Sequence, residues 1–488
     1  MRNKLIVTTG AAALVAAGLV LAGCGGTTAT SNLISSNVAT TPTQTIITDA
    51  PADQVLALAL KVDSIVLTDT SGASTGNLLK APVPIEVGHL DAVQEPFLPP
   101  LNIPQDTYAS ATITVEAPIV AYVDSTSAKP VIATTSSTPA ATLTGTTDTI
   151  TLSTPITVTA TSAPIVFDLE IAQSVSITGT GTSAVIDVTP TFNVTQLTLP
   201  TGTTPPSNQN QGKVSNVVGA VASTTTSSLT ITDPKGQSLT ITTNSNTQLY
   251  GATSLSALTA GELVSVDIAQ QTNGSNLALR ITVLPNIADL LIGPVTATTG
   301  TPVTSFTQLV RQPVGPGTTP ASTLATSYTI TVNSSTTFST GPQGTAGAAL
   351  PTLPFTPTFS AATLFAGQNV AVGSTSINTT ADTATAVNVT LVPQTIDGTV
   401  AAVGTSGGLP TVTVTLPAQS ALATLTGKTS VVVYVVSATQ LMNSTTAIPT
   451  AGAQIRFNGL LFNNAGTLSL VALGCNDAPP TPPRQTIH

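Results

Sequence analysis

The chain has no tryptophan, two cysteines and two histidines in 488 residues, and only 7% of its residues are charged. Each scarcity removes a class of chemistry. With His89 and the terminal His488 as the sole imidazoles, a His-rich metal site or a Ser-His-Asp triad would have to be built on His89. His89 itself follows Glu86-Val87-Gly88 in a turn pattern, so a solvated loop position is expected. Aromatics at 3% leave few platforms on which sugars or bases can stack. Lys and Arg number 12 against 21 Asp and Glu, for a net charge of −9. Nothing gathers the basic residues into a phosphate-binding face, so no nucleic-acid partner is expected. No motif calls for a cofactor.

Long apolar runs are missing too, except one at the start. Arg2 and Lys4 precede an apolar run from Leu5 to Leu21, followed by Leu21-Ala22-Gly23-Cys24. A basic start, an apolar middle and small residues before a cleavage point make a secretory signal. The run is short for a span and is diluted by Thr8, Thr9, Gly10 and Gly18. A small pair before cysteine is the lipobox of a bacterial lipoprotein. Residues 1–23 are therefore expected to be a signal peptide, and Cys24 to carry acyl chains that hold the chain to a membrane. Gly25 rather than aspartate after the cysteine favours the outer membrane where there are two. Lipidation of Cys24 leaves Cys475 without an intrachain partner, a bystander thiol before a Pro-rich tail.

What is abundant is threonine, about a fifth of the chain. Threonine and valine are β-branched and suit pleated strands. That reconciles a mean hydropathy of +0.37 with the absence of spans. The class expected is all-β: an N-terminal β-sandwich-like domain followed by three tandem small β-barrel (OB-like) repeats.

Organisation follows composition. Residues 24–49, Thr/Ser/Ala/Pro-rich and nearly uncharged, are expected to be a flexible tether. Residues 50–199 form an acidic domain, in which Val55 to Thr68 alternates as a strand with one buried face. Residues 200–213, rich in Pro, Gly, Asn and Gln, form a linker. A repeat then begins. Val218-Gly219-Ala220-Val221, Ile292-Gly293-Pro294-Val295 and Ile396-Asp397-Gly398-Thr399-Val400 open three segments, 214–285, 288–393 and 394–476. Each later carries a Thr before an apolar or aromatic residue, at Thr247-Gln248-Leu249, Thr337-Phe338 and Thr439-Gln440-Leu441. A small-Gly-x-x-apolar turn follows at Ala260-Gly261, Ala366-Gly367 and Ala451-Gly452. The two glycines lie 42 residues apart in the first copy (219 to 261), 74 in the second (293 to 367) and 54 in the third (398 to 452). The excess falls in loops, and units of this size fit small barrels. Residues 477–488 are the Pro-rich tail.

These motifs carry two resemblances. The segment 54–197 resembles domain of unknown function 4382 in Val62-Asp63-Ser64-Ile65-Val66-Leu67, Ile103-Pro104-Gln105-Asp106-Thr107-Tyr108 and the stretches Phe167 to Val175 and Val188 to Val194. In that family glycine usually stands where this chain has Asp106. The Gly-x-Val openings and Ala-Gly turns are similar to domain of unknown function 5666, over 214–285 and in weaker copies beyond. Neither resemblance implies an activity or a catalytic residue. Both imply an exported, all-β protein.

Remaining candidates are few. Gly404-Thr405-Ser406-Gly407-Gly408 matches a nucleophile elbow, but lies between strand patterns and is expected to be a hairpin turn. Asp168 and Glu170, two apart on a strand, share a face and are the weak candidates for a cation site. Tyr108, Tyr122 and Tyr434 sit in strand patterns and are expected to pack internally. The composite expectation is a non-catalytic, lipid-anchored envelope protein of four β domains on flexible linkers. It would act as a structural, adhesion or ligand-binding module, with an envelope protein or glycan as partner. A carrier or assembly factor is the alternative; a secreted hydrolase is the third reading.

Overall fold

The computed structural model describes residues 33–35, 37–50, 54–90, 95–199, 206, 211–284, 287–316, 318, 323–340, 350, 352–442 and 448–476. The signal segment with Cys24, residues 200–205 and 207–210 of the linker and the tail lie outside them. Within them the chain is almost entirely β, and no described helix is long and apolar enough to cross a membrane.

The N-terminal unit puts three sheets around one core. Its longest strands, Val55–Asp69 and Thr107–Asp124, pair antiparallel in a five-stranded sheet. Leu58, Leu60, Val62, Ile65 and Leu67 point from the first of them into a cluster with Phe97, Ile113, Phe167 and Ile186. Val55 to Thr68 was expected to bury one face only. The structure buries both over Leu56 to Leu60, because Ala57 and Ala59, on the other face, are small enough for neighbouring units to pack upon them.

The expected tether ends earlier than residue 49. Thr40–Ala50 is an internal strand, antiparallel to Glu95–Pro104 and parallel to Ile165–Glu170. Its Thr/Pro composition resembles a linker, yet Ile46 and Ile47 are buried in the fold, and two of its three buried threonines, Thr41 and Thr43, have their own acceptors, while the Thr45 hydroxyl has none. Thr41 donates to the Thr159 carbonyl and Thr43 to that of Thr41. Hydroxyls satisfied in this way let an uncharged polar strand sit inside a protein. Glu95–Pro104, with Pro96, Pro99, Pro100 and Pro104, takes the sheet edge, where missing N–H groups break no ladder.

After residue 211 three segments follow one strand order. In the first, Lys213–Thr224 pairs on one side with Ser228–Thr232 and on the other with Leu263–Gln270. Asn276–Val283 then runs antiparallel to Leu263–Gln270 and parallel to Ser238–Thr242, closing the cylinder. In the third, Gln394–Ser406, Leu409–Thr415, Ser430–Met442, Thr467–Asn476 and Gln454–Asn464 form a closed barrel in the same order. In the second, the closing strand is split. Thr383–Thr385 pairs with Ser327–Thr331, and Asn388–Leu391 with Asn369–Ser374.

The motifs acquire a physical reason here. Each opening strand changes partner at its Gly-x-Val, with a register shift just after Val221, Val295 and Val400. At that point the next strand crosses closely. A Cβ on Gly293 would stand 1.8 Å from the Leu309 carbonyl oxygen, and one on Gly398 2.2 Å from that of Thr415. The second motif docks on the first. Val221 N–H donates to the Glu262 carbonyl and Gly261 N–H to that of Val221, both at 2.8 Å. Val295 with Gly367 and Gln368, and Val400 with Gly452 and Ala453, repeat the same pair of bonds. The turn glycine has φ of +87°, +101° and +86° in the three copies, a conformation other residues reach at a cost. The threonine motif caps the closing strand: Thr247, Thr336 and Thr439 donate to the carbonyls of Ala278, Ala386 and Ala472 at 2.7 to 2.9 Å. In the second copy that threonine is Thr336, one residue before the Thr337 expected from sequence.

The units are not beads on linkers. Leu56, Ala57, Ala59, Ala121 and Val123 of the N-terminal unit share an apolar cluster with Leu309, Ala325 and Ala421. Val218 and Leu263 pack with Leu290, Ile292 and Ala371. Phe462 and Val471 of the third segment join the core of the second. Apolar burial at every junction replaces the independent motion expected from the linker composition.

Candidate functional site

The densest chemistry lies where the N-terminal unit meets the first two segments. The strand Val83–Glu86 ends on Glu86, and a short loop carries His89 back towards Glu95, which begins the next described strand. From the first segment, the turn after Ser228–Thr232 brings Asp233 and Lys235; from the second come Arg311 and Gln312. His89 donates from Nδ1 to Glu86 Oε2 at 2.8 Å and from Nε2 to Glu95 Oε2 at 3.2 Å. Lys235 Nζ lies 2.8 Å from Glu95 Oε1 and 3.3 Å from Asp233 Oδ2. Gln312 adds a bond to Glu95 at 3.2 Å, and the Arg311 guanidinium donates to the Leu56 carbonyl. Glu86 also collects N–H bonds from Leu58, Gly88 and His89.

His89 is therefore not the solvated loop residue expected: its side chain is 9% exposed and held between two carboxylates. Three segments far apart in sequence supply its surroundings, and only the Glu86-x-x-His89 spacing hinted at a contact. Burial alone lowers the imidazole pKa, but the facing Glu95 and Glu86 outweigh it and hold it at about 9. Burial raises Glu95, and Lys235 and His89 more than reverse that, bringing it to about 2. Burial lowers Lys235, and Asp233 and Glu95 overcome this to raise it above the usual lysine value. Asp233 is raised by burial, with Lys235 opposing.

This arrangement has no free base. An imidazole protonated at neutral pH with both nitrogens donating accepts no proton from a nucleophile. The residues lining the small cleft are Pro84, Glu86, His89, Glu95, Pro234, Lys235, Arg311, Gln312 and Leu324, none a hydroxyl or thiol. Three carboxylates face two cations, His89 and Lys235, and each carboxylate is engaged within the cluster, while Arg311 is committed to the Leu56 carbonyl. What the geometry does is join three units by charge-assisted hydrogen bonds.

Asp168 and Glu170 do share a face, opposite to Ile165, Phe167 and Leu169, which enter the core. Both sense Arg456 of the third segment. Burial, then Glu170, pushes the Asp168 carboxyl up to about 7 against the lowering effect of Arg456. Asp168 Oδ1 and Glu170 Oε2 are buried without a hydrogen-bond partner. Arg456 Nε donates to Asp397 at 2.7 Å. The pair thus faces a guanidinium, and among the described residues no group of three or more His, Cys, Asp or Glu is placed to hold a metal ion.

Other sequence candidates resolve simply. Ser406 and Leu409 pair across Gly407 and Gly408, whose φ values of +56° and +81° make a two-residue hairpin turn of the Gly-x-Ser-x-Gly segment. Tyr108, Tyr122 and Tyr434 are buried, Tyr328 likewise, and Tyr250 is exposed. Cys24 lies outside the described residues. The backbone of Cys475 belongs to the strand Thr467–Asn476.

Residues 218–282 match the family described as domain of unknown function (DUF5666). The matched stretch runs from the residue before Gly219, across the Gly261 turn, to the closing strand, so it encloses the first copy of the docked motifs. No curated protein and no solved structure matches the chain.

Proposed function

We propose that the mature chain is a non-catalytic, lipid-anchored module of the bacterial cell envelope, tethered by acyl chains on Cys24 and presenting a single β-rich body. The N-terminal unit is read as a β-sandwich of the kind of domain of unknown function 4382. The three following segments are read as OB-like copies of the domain matched at 218–282. The observation that carries the non-catalytic reading is the self-satisfied charge junction: its one internal imidazole is committed to two carboxylates that also hold neighbouring units. Filled interiors speak against a carrier. Val214, Leu229, Ile241, Val266 and Ile281 occupy the first barrel, and Val400, Val414, Val433, Phe457 and Leu470 the third. The acidic balance argues against nucleic acid and leaves an envelope protein or glycan as the partner.

Anchoring is tested by metabolic labelling with an alkyne fatty acid in a bacterial host. Wild-type chain is expected to carry label and sediment with membranes, in the outer-membrane fraction of a two-membrane host. Cys24→Ser is expected to lose both. Unlabelled, soluble wild-type chain would remove the anchor, and with it the envelope assignment.

A further inference from the structure

The chain enters the described fold at one end of the N-terminal unit. Leu33 forms a parallel β-bridge with Ser74, and Ile34 N–H donates to the Ser74 carbonyl at 2.8 Å while its side chain packs on the N-terminal core. Further on, Gln105 N–H donates to the Ala39 carbonyl at 2.8 Å. The entry is thereby fixed beside the loop that follows Val55–Asp69. The same end holds the start of Thr107–Asp124, since Asp69 stands opposite Tyr108 and Thr70 N–H donates to the Thr107 carbonyl. At the other end of these two strands lie Leu56, Ala57, Ala59, Ala121 and Val123, on which Leu309, Ala325 and Ala421 of the second and third segments pack. The rise of a 15-residue strand separates the two ends by about 45 Å.

We propose that the entry end rests on the lipid bilayer, with Leu33 as its contact and the second and third segments held farthest from the membrane. The inference rests on acylation of Cys24 and adds the orientation of the body. Leu33 is nine residues on from Cys24, so even fully extended chain keeps it within about 32 Å of the acylated residue. An inverted stance would lift Leu33 about 45 Å from the bilayer, beyond that reach. Polarity separates standing from lying flat. Neither residues 33–39 nor residues 70–79 include a charged side chain. The adjoining Asp69 carboxylate is taken up by the Ser71 N–H and hydroxyl and the Ala73 N–H, at 2.7 to 2.8 Å. Leu33 is 67% exposed, more than any other large apolar side chain among the described residues. The long side of the same unit carries the exposed Lys61–Glu116 ion pair instead. Pressing that pair against lipid would cost desolvation that the entry end does not demand.

The test uses the full chain with Cys475→Ser, expressed in a bacterial host and transferred from detergent into vesicles of phosphatidylethanolamine and phosphatidylglycerol. A thiol-reactive fluorophore is attached through Thr70→Cys at the entry end or, in a second preparation, through Ser125→Cys in the turn after Thr107–Asp124, both exposed positions. Lipid with a nitroxide on its headgroup, which quenches only near contact, is expected to quench the fluorophore at position 70 and leave that at position 125 unquenched. Leu33→Asp is expected to weaken quenching at position 70 while the chain still sediments with the vesicles. Circular dichroism verifies that each variant is folded. In a chain that sediments, equal quenching at both positions, quenching at 125 alone or none at either overturns the orientation and leaves the anchor standing. Undiminished quenching in Leu33→Asp overturns Leu33 as the contact. A chain that fails to sediment overturns anchor and orientation together.

Discussion

Raising the pH through about 9 is expected to strip the three-unit junction of its imidazolium. The His89 pKa is raised from 6.5 to about 9 in the folded chain. By linkage, the charged imidazole contributes stability that is fully present below 6.5 and lost as the pH climbs through about 9. A shift of that size corresponds to about 3 kcal/mol. Glu95 acts with the opposite sense: lowered from 4.5 to about 2, it contributes stability above 4.5 that is lost as the pH falls through about 2. The junction is therefore complete in the window from 4.5 to 6.5 and decays on both sides. The chain makes direct measurement simple, because labelled histidine gives signals only from His89 and His488. Imidazole NMR across the titration should show one ordinary histidine, removed by His488→Gln, and one near 9. Glu95→Gln should bring the second down and destabilise the chain by about 3 to 5 kcal/mol, the cost of orphaning buried cations. An imidazole of His89 that titrates at or below 6.5 would refute the reasoning, since a neutral ring cannot bridge two carboxylates.

Further outcomes follow from single contacts. Gly293→Ala should destabilise by at least about 1 to 3 kcal/mol in urea titrations, because its methyl would overlap the Leu309 carbonyl; Gly404→Ala, whose nearest neighbour would be 3.4 Å away, should be near neutral. Thr336→Val, which removes the cap on Ala386, should cost about 1 kcal/mol. Asp168→Asn should stabilise the chain at alkaline pH and lose that advantage as the pH falls towards 3.8; a carboxyl raised to about 7 weighs against the fold only where the unfolded chain ionises more readily. Urea midpoints at both ends of that range check it. Ala57→Leu should loosen the contact between units, seen as faster proteolysis between residues 200 and 211 without loss of β circular dichroism, since both faces of its strand are already packed.

Much of the barrel architecture was legible because its signals are local. Gly-x-Val, the small-Gly turn and the threonine motif are each read from a few residues, and each marks a backbone event: a crossing too close for a Cβ, a positive φ, a capped carbonyl. Even there the structure moved one position, from Thr337 to Thr336, because either threonine fits the spacing and only one reaches Ala386. Residues 40–49 look like tether in the sequence for a related reason. Composition separates charged from apolar residues well, but the buried hydroxyls of Thr41 and Thr43 look like linker until their acceptors are known.

The β class, the outward and inward alternation of strands such as Thr107–Asp124, and the glycines that the barrels require are properties of the local chain. These depend on covalent geometry and on the period of two, which travel with the chain. Folding in three dimensions is what packs Ala57 and Ala59 beneath neighbouring units, sets Asp168 against Arg456, and links His89 to Lys235 through Glu95. Each of these joins segments separated by many residues, and an ion pair or a small-residue contact leaves no periodic trace in the segments it connects.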